Sequence, residues 1–125
     1  MLRIVPYYAA GLALLYVYLA FQVIKARRAA KISVGMGGDP AIERAARVHG
    51  NFGEYTPFAL LLLSMAELRG AAWWALHALC LAFCAGRIAH AWGMSRTPEQ
   101  FKYRVTGMQL TFGVLGLTAL LILAT

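Results

Sequence analysis

Charge is scarce in this sequence. Asp and Glu together number 5 of 125 residues, and charged residues of all kinds make up 14%, against about 25% in an average soluble domain. That excludes a disordered segment, which needs low hydrophobicity and high charge. Cysteine is scarcer still, at 2, which excludes a disulfide-stapled secreted scaffold. Those two, Cys80 and Cys84, are not spaced as C-x-x-C. No second Cys/His pair completes a zinc site, so no metal is expected and both read as small buried apolar residues. There is no Gly-rich phosphate loop, no Ser-His-Asp set with plausible partners, no internal repeat, no low-complexity tract and no linker fit to separate domains.

What fills the chain is apolar. Hydrophobic residues reach 61%, against about 45–50% in a soluble domain. A soluble globule this small could not hide so much apolar surface, so the composition points to an integral membrane protein. The formal net charge is +7. No base-stacking or groove-reading pattern interleaves with the basic residues, so they do not point to nucleic acid.

Residues 5–24 form an uncharged run of 20, the length of a helix that crosses a bilayer. The run is too long for a signal-peptide core and lacks a small-residue cleavage site, so it reads as a retained anchor. A second uncharged run covers 70–86, and its helix is expected to continue to about Trp92. A third covers 105–125. The remaining run, 55–66, is short and becomes a span only by admitting Asn51, Glu54 and Glu67. The expectation is an all-α, integral membrane four-helix bundle of up-down topology. One transmembrane domain, 1–125, would hold spans near 5–24, 51–68, 71–92 and 105–125.

The loops after the first and third spans carry Lys25, Arg27, Arg28, Lys31, Arg44, Arg47, Arg96, Lys102 and Arg104, while the opposite side offers Arg3 and Arg69. By the positive-inside rule those loops are cytoplasmic and both termini lie on the non-cytoplasmic side. In the first loop Gly37 and Gly38 break the chain, Asp39 is an N-cap and Pro40 a first helical residue. The second helix should then run Pro40–Leu68. That is roughly 43 Å at 1.5 Å per residue, enough to project about 10–15 Å beyond the membrane. Pro57 should kink it locally.

Polar residues inside a membrane mark function by default. With this topology Gln22, Arg47, Asn51, Glu54, Arg87, His90 and Arg104 all fall at the cytoplasmic level. On the second helix Arg44, Arg47, Asn51, Glu54, Phe58, Leu61 and Met65 follow alternating spacings of three and four, which makes one stripe, polar above and apolar below. On the third helix His77, Cys80, Cys84, Arg87 and Ala91 do the same. Plainer readings compete. Arg44 and Arg96 read as arginines that reach lipid head groups. Arg87 has Glu54 as a possible structural ion partner. His77, Tyr7, Tyr8, Trp73 and Trp74 read as interfacial residues. A net-positive site that also holds Glu54 suits a small anion carrying an amine.

These residues resemble those of a known family. GDPAIERAARVHGNFGEYTPFALLL resembles the second-helix signature of the membrane-associated proteins in eicosanoid and glutathione metabolism, the MAPEG family. Here that signature reads R-x-H-x-N-x-x-E-x-x-P. GRIAHAWG resembles the third-helix motif, and RVTGMQLTFGVL the start of the fourth helix in bacterial members. The resemblance covers essentially the whole chain. It implies a homotrimer that holds glutathione between subunits near the cytoplasmic face and acts on lipid-soluble electrophiles. By resemblance Arg47, Asn51 and Glu54 match glutathione-contacting positions on the second helix, and Arg87 and His90 those on the third. Arg104 matches the arginine that stabilises the glutathione thiolate. Three positions depart from the eicosanoid enzymes. Gly50 stands where another arginine is common, and Met94 and Met108 where tyrosines contact glutathione. The first-helix arginine has no clear equivalent beyond Gln22 or Lys25.

The resulting expectation is a glutathione-dependent transferase or peroxidase of the bacterial inner membrane, with glutathione as cosubstrate and lipophilic small molecules and membrane lipid as partners. A non-catalytic lipid- or thiol-binding protein on the same scaffold is the alternative. A four-helix transporter is disfavoured, because such proteins depend on a carboxylate in the first span and residues 5–24 have none.

Overall fold

A computed structural model describes every residue from Met1 to Thr125. It contains four helices, α1 (Val5–Ala30), α2 (Pro40–Leu68), α3 (Trp73–Ser95) and α4 (Phe101–Ala124). They run alternately up and down. The termini and the short α2–α3 link gather at one end, where Arg69 bonds Thr125. The α1–α2 and α3–α4 connections gather at the other, called here the loop end. α2 packs against the other three helices, α3 lies closest to α4, and α1 and α4 do not touch.

Each helix follows from its residues. α1 buries Val5, Leu12 and Leu19, a seven-residue repeat that makes one narrow seam. Its other faces carry exposed Leu14, Val17, Phe21 and Ile24. The helix runs past its apolar segment to Ala30, because Lys and Arg are good helix formers. It stops where Lys31 turns left-handed at φ 58°. α2 has the expected bounds. Asp39 accepts from the Ala41 and Ile42 N–H groups at 2.9 and 3.1 Å, and Gly37 and Gly38 supply the positive φ angles before it. The helix continues through Pro57 without a break. α4 begins at Phe101, which puts Arg104 in its first turn.

Only 22 of 125 residues are buried. Such a small interior suits a solvent of hydrocarbon rather than water. α1, α3 and α4 are each long and apolar enough to cross a membrane. α2 is longer but carries more charge, and it packs among them. The architecture is thus an all-α membrane bundle.

The α3–α4 pair is joined by small residues. A Cβ at Gly107 would lie 2.5 Å from the Gly86 carbonyl oxygen and 2.6 Å from the His90 nitrogen. A Cβ at Gly93 would lie 2.7 Å from the Gln100 carbonyl oxygen and 2.8 Å from the Arg104 nitrogen. Small residues of this kind let membrane helices approach backbone to backbone. At the terminal end, Glu67 accepts from the N–H groups of Arg3, Ile4 and Val5 at 2.6, 2.6 and 2.9 Å. One carboxylate therefore satisfies the orphan donors that open α1.

Candidate functional site

α2 divides into two faces. Ile42, Val48, Phe52, Thr56, Ala59, Leu63 and Ala66 are buried against the bundle. Arg47, Glu54, Phe58, Leu61 and Met65 are exposed on the opposite face, with Asn51 half-buried among them. Arg47 Nη1 lies 3.6 Å from Glu54 Oε1, with both side chains more than half exposed. Seven residues separate them, about 10 Å of rise. Gly50 lies between, and a Cβ there would sit 3.7 Å from Arg47 Nη1 and 3.8 Å from Glu54 Oε1. The bridge passes directly over this glycine, at a distance where even a Cβ would make only ordinary contact. An exposed pair of this kind contributes about 0–1 kcal/mol, so both charges are available to a ligand at small cost.

Arg87 approaches from behind. It is 1% exposed, and its Nη2 donates to Asn51 Oδ1 at 2.5 Å. Its guanidinium lies over the Phe52 and Tyr55 rings at 6.0 and 5.8 Å, where cation–π attraction offsets part of the burial cost. Glu54 is thus not its partner; Arg47 has taken that carboxylate and Asn51 has taken the arginine. Asn51 accepts through its oxygen, and its amide N–H groups face away from that bond and can donate to a ligand. The Arg87 Nε and Nη1 atoms and the His90 Nδ1 atom make no hydrogen bond within the chain. His90 is buried, with its backbone held against Gly107 of α4.

At the loop end a pocket of about 240 Å³ gathers Arg44, Arg47 and Arg104 with Glu43 and Glu99, beside Met94. Arg104 Nη1 donates to Glu99 Oε1 at 2.7 Å. Arg44 Nη1 donates to the Met94 carbonyl at 2.8 Å, so it cross-links α2 to α3 instead of only reaching for head groups. Sequence reading passed over Glu99 and Glu43. The available signal was their position, Glu99 five residues before Arg104 and Glu43 next to Arg44.

The six candidate residues therefore form three linked groups: Arg47 with Glu54 on the outer stripe, Asn51 with Arg87 and buried His90 behind it, and Arg104 above with Glu99. At the far end Tyr8 and His77 are hydrogen bonded, Oη to Nδ1, at 2.7 Å. Tyr7, Trp73 and Trp74 are exposed there, as residues of an interfacial belt would be. Cys80 is buried and Cys84 half-buried, and both are free thiols.

Residues 5–124 match the model of the MAPEG family. The chain belongs to this family. Among its relatives is the Escherichia coli inner membrane protein YecN, 34% identical over 113 residues, which cover 90% of this chain and 85% of that one. Human microsomal glutathione S-transferase 2 is 36% identical over 109 residues, 83% of this chain and 69% of that protein. Guinea-pig leukotriene C4 synthase is 35% identical over 117 residues, 85% of this chain and 75% of that protein. This MAPEG chain is accordingly a membrane protein of a family that includes a glutathione transferase.

Proposed function

We propose that the protein is a glutathione-dependent transferase or peroxidase acting on lipophilic electrophiles. The observation that carries this reading is the charge arrangement at the loop end. Arg44, Arg47 and Arg104 converge with Glu43 and Glu99, and Glu54 continues the set along α2. Glutathione presents two carboxylates, one ammonium, two amides and a thiol, and this donor and acceptor set matches them. Arg47 and the free N–H groups of Asn51 would hold carboxylate and amide oxygens, with His90 contributing from behind. Glu54 would take the amine. Arg87 keeps Asn51 oriented. Arg104 would stand at the sulfur, since arginine stays charged when partly buried. When bound, the thiolate supplies the nucleophile. A pocket of about 240 Å³ open at the subunit surface leaves room for a neighbouring subunit to close it, which supports a homotrimer. The whole chain would act as one unit crossing a bacterial inner membrane four times, with both termini on the non-cytoplasmic side.

The deciding experiment concerns Arg104. A free thiol has a pKa of about 8.5, so little is ionised at neutral pH. A guanidinium about 4 Å from the sulfur contributes roughly 4 kcal/mol at an effective dielectric of 20, part of which desolvation removes. The bound thiol should then titrate at roughly 6.5–7.5. Arg104→Ala should raise the pH at which bound thiolate forms, followed by ultraviolet difference absorbance. Turnover of a chlorinated aromatic should fall much more than glutathione affinity. Thiolate formation unchanged by the substitution would reject the role.

One observation favours the non-catalytic alternative. Glu99 already neutralises Arg104 at 2.7 Å, which weakens the field available to a thiolate. Wild-type protein that binds glutathione without forming thiolate or turning over substrate would establish that reading instead.

A further inference from the structure

A second cavity adjoins the loop-end pocket at Pro40 and Arg44 and opens on the other side of Arg44 from Arg47. It has a volume of about 750 Å³ and is a groove bounded by the loop-end halves of α1, α2 and α3. Along α1 it reaches from Leu15 to Ala29, roughly 21 Å at helical rise. Its existence follows from the sequence. Ala26, Ala29, Ala41, Ala45 and Ala91 line it, so α1, α2 and α3 present methyl groups where larger side chains would have closed the bundle. On α2 it is entered from the Ala41, Arg44 and Ala45 side, about a third of a turn from the stripe of Arg47 and Glu54.

The groove is polarised along its length. Toward the middle of the helices its walls are Leu15, Leu19, Val48 and Ile88. Toward the loop end stand Lys25, Arg44 and Arg96, one from each of the three segments, with Gln22 beside them. None of its lining residues is Asp or Glu. Trp92 lies at the same level, with the Arg96 guanidinium 5.0 Å from its ring centroid. Lys25 and Arg96 at the mouth of an apolar slot, with Arg44 between this groove and the loop-end pocket, are complementary to one anionic head group attached to a hydrocarbon chain. Basic pockets between transmembrane helices at the membrane surface bind anionic lipid head groups for this reason. With the loop end at one membrane surface, the cations would stand at the level of a phosphodiester, and the apolar walls would continue inward along its acyl chain.

We propose that this groove between α1, α2 and α3 binds one anionic phospholipid of the surrounding leaflet, with the phosphodiester held by Lys25, Arg44 and Arg96 and an acyl chain along Leu19 and Ile88. The groove shares Pro40 and Arg44 with the loop-end pocket, so within the groove its test alters only Lys25, Arg96 and Ala29, none of which lines that pocket.

The test uses delipidated full-length protein in mild detergent, titrated with dioleoyl phosphatidylglycerol or dioleoyl phosphatidylcholine and read by native mass spectrometry. Phosphatidylglycerol should bind at one per chain and at least tenfold more tightly. The Lys25→Gln/Arg96→Gln double variant should lose that preference. Ala29→Trp, which fills the groove without removing charge, should weaken both lipids. Excess inorganic phosphate should not displace the lipid; displacement by phosphate alone would overturn the role of the apolar walls. A second readout needs no change to the groove. With Trp73→Phe and Trp74→Phe at the far end, Trp92 fluorescence should be quenched by phosphatidylglycerol with brominated chains at concentrations where the brominated phosphatidylcholine has little effect. Equal binding or equal quenching by the two lipids would overturn the proposal, as would an undiminished preference in the double variant.

Discussion

Arg104 and Glu99 hold one another at 2.7 Å, and this pair sets the electrostatics of the loop-end pocket. Removing the carboxylate should strengthen the field of the arginine. Glu99→Gln is therefore expected to shift bound-thiolate formation to lower pH, opposite to Arg104→Ala, with the same absorbance measurement as the check. Glutathione affinity should change less than the thiolate midpoint. The site was unevenly legible at this scale. The stripe of Arg47, Asn51 and Glu54 follows helical spacing, so the exposed pairing of Arg47 with Glu54 lies on a face the sequence marks out. Asn51 turned out to serve Arg87, because a fully buried guanidinium needs an acceptor and Asn51 is the polar group within reach. Glu99 sits in a connection with no periodicity to point it toward Arg104.

The α3–α4 contact governs how accurately His90 and Arg104 are placed. Gly107 touches the His90 backbone, and Gly93 touches that of Arg104. Gly107→Ala must push the two helices apart or displace His90, and overpacking of this kind costs about 1–3 kcal/mol. Thermal unfolding in detergent should show the loss, and glutathione affinity should fall with it. Gly113→Ala, whose Cβ would meet nothing within 4 Å, should leave both unchanged. The helices themselves were largely readable. Asp39, Pro40 and the glycines before them define the start of α2 through local chemistry. The ends of α1 and α4 were harder, because uncharged runs mark what hydrocarbon tolerates, whereas Lys, Arg and Gln continue a helix into water without cost.

As a single subunit the molecule leaves Arg47 and Glu54 about half exposed on a helix whose next turns show Phe58, Leu61 and Met65 to the outside. Charges at that depth facing lipid are expensive, and covering the stripe with other copies removes the cost. Native mass spectrometry in mild detergent should find a stable trimer, and only monomers or dimers would count against it. The excess of Lys and Arg in the α1–α2 and α3–α4 connections predicts the sidedness. Alkaline phosphatase fused after Thr125 should be active, and a fusion between Gly93 and Arg104 inactive. The reverse result would move the loop-end pocket to the other side of the membrane.

The carboxylate that closes the start of α1 lies 62 residues downstream of Val5. A ribosome adding 5–20 residues per second needs roughly 3–12 s to cover that distance. Until Glu67 is made, the opening N–H groups of the first helix lack the carboxylate that accepts from them, although α2 begins at Pro40. Apolar residues on nearly every side of α1, and the absence of charge from Val5 to Ile24, equip it to wait in the bilayer. The last residues of α2 then bring Glu67 to its start, so the order of synthesis lets the first helix be closed no earlier than the completion of α2, with α3 and α4 still to be made.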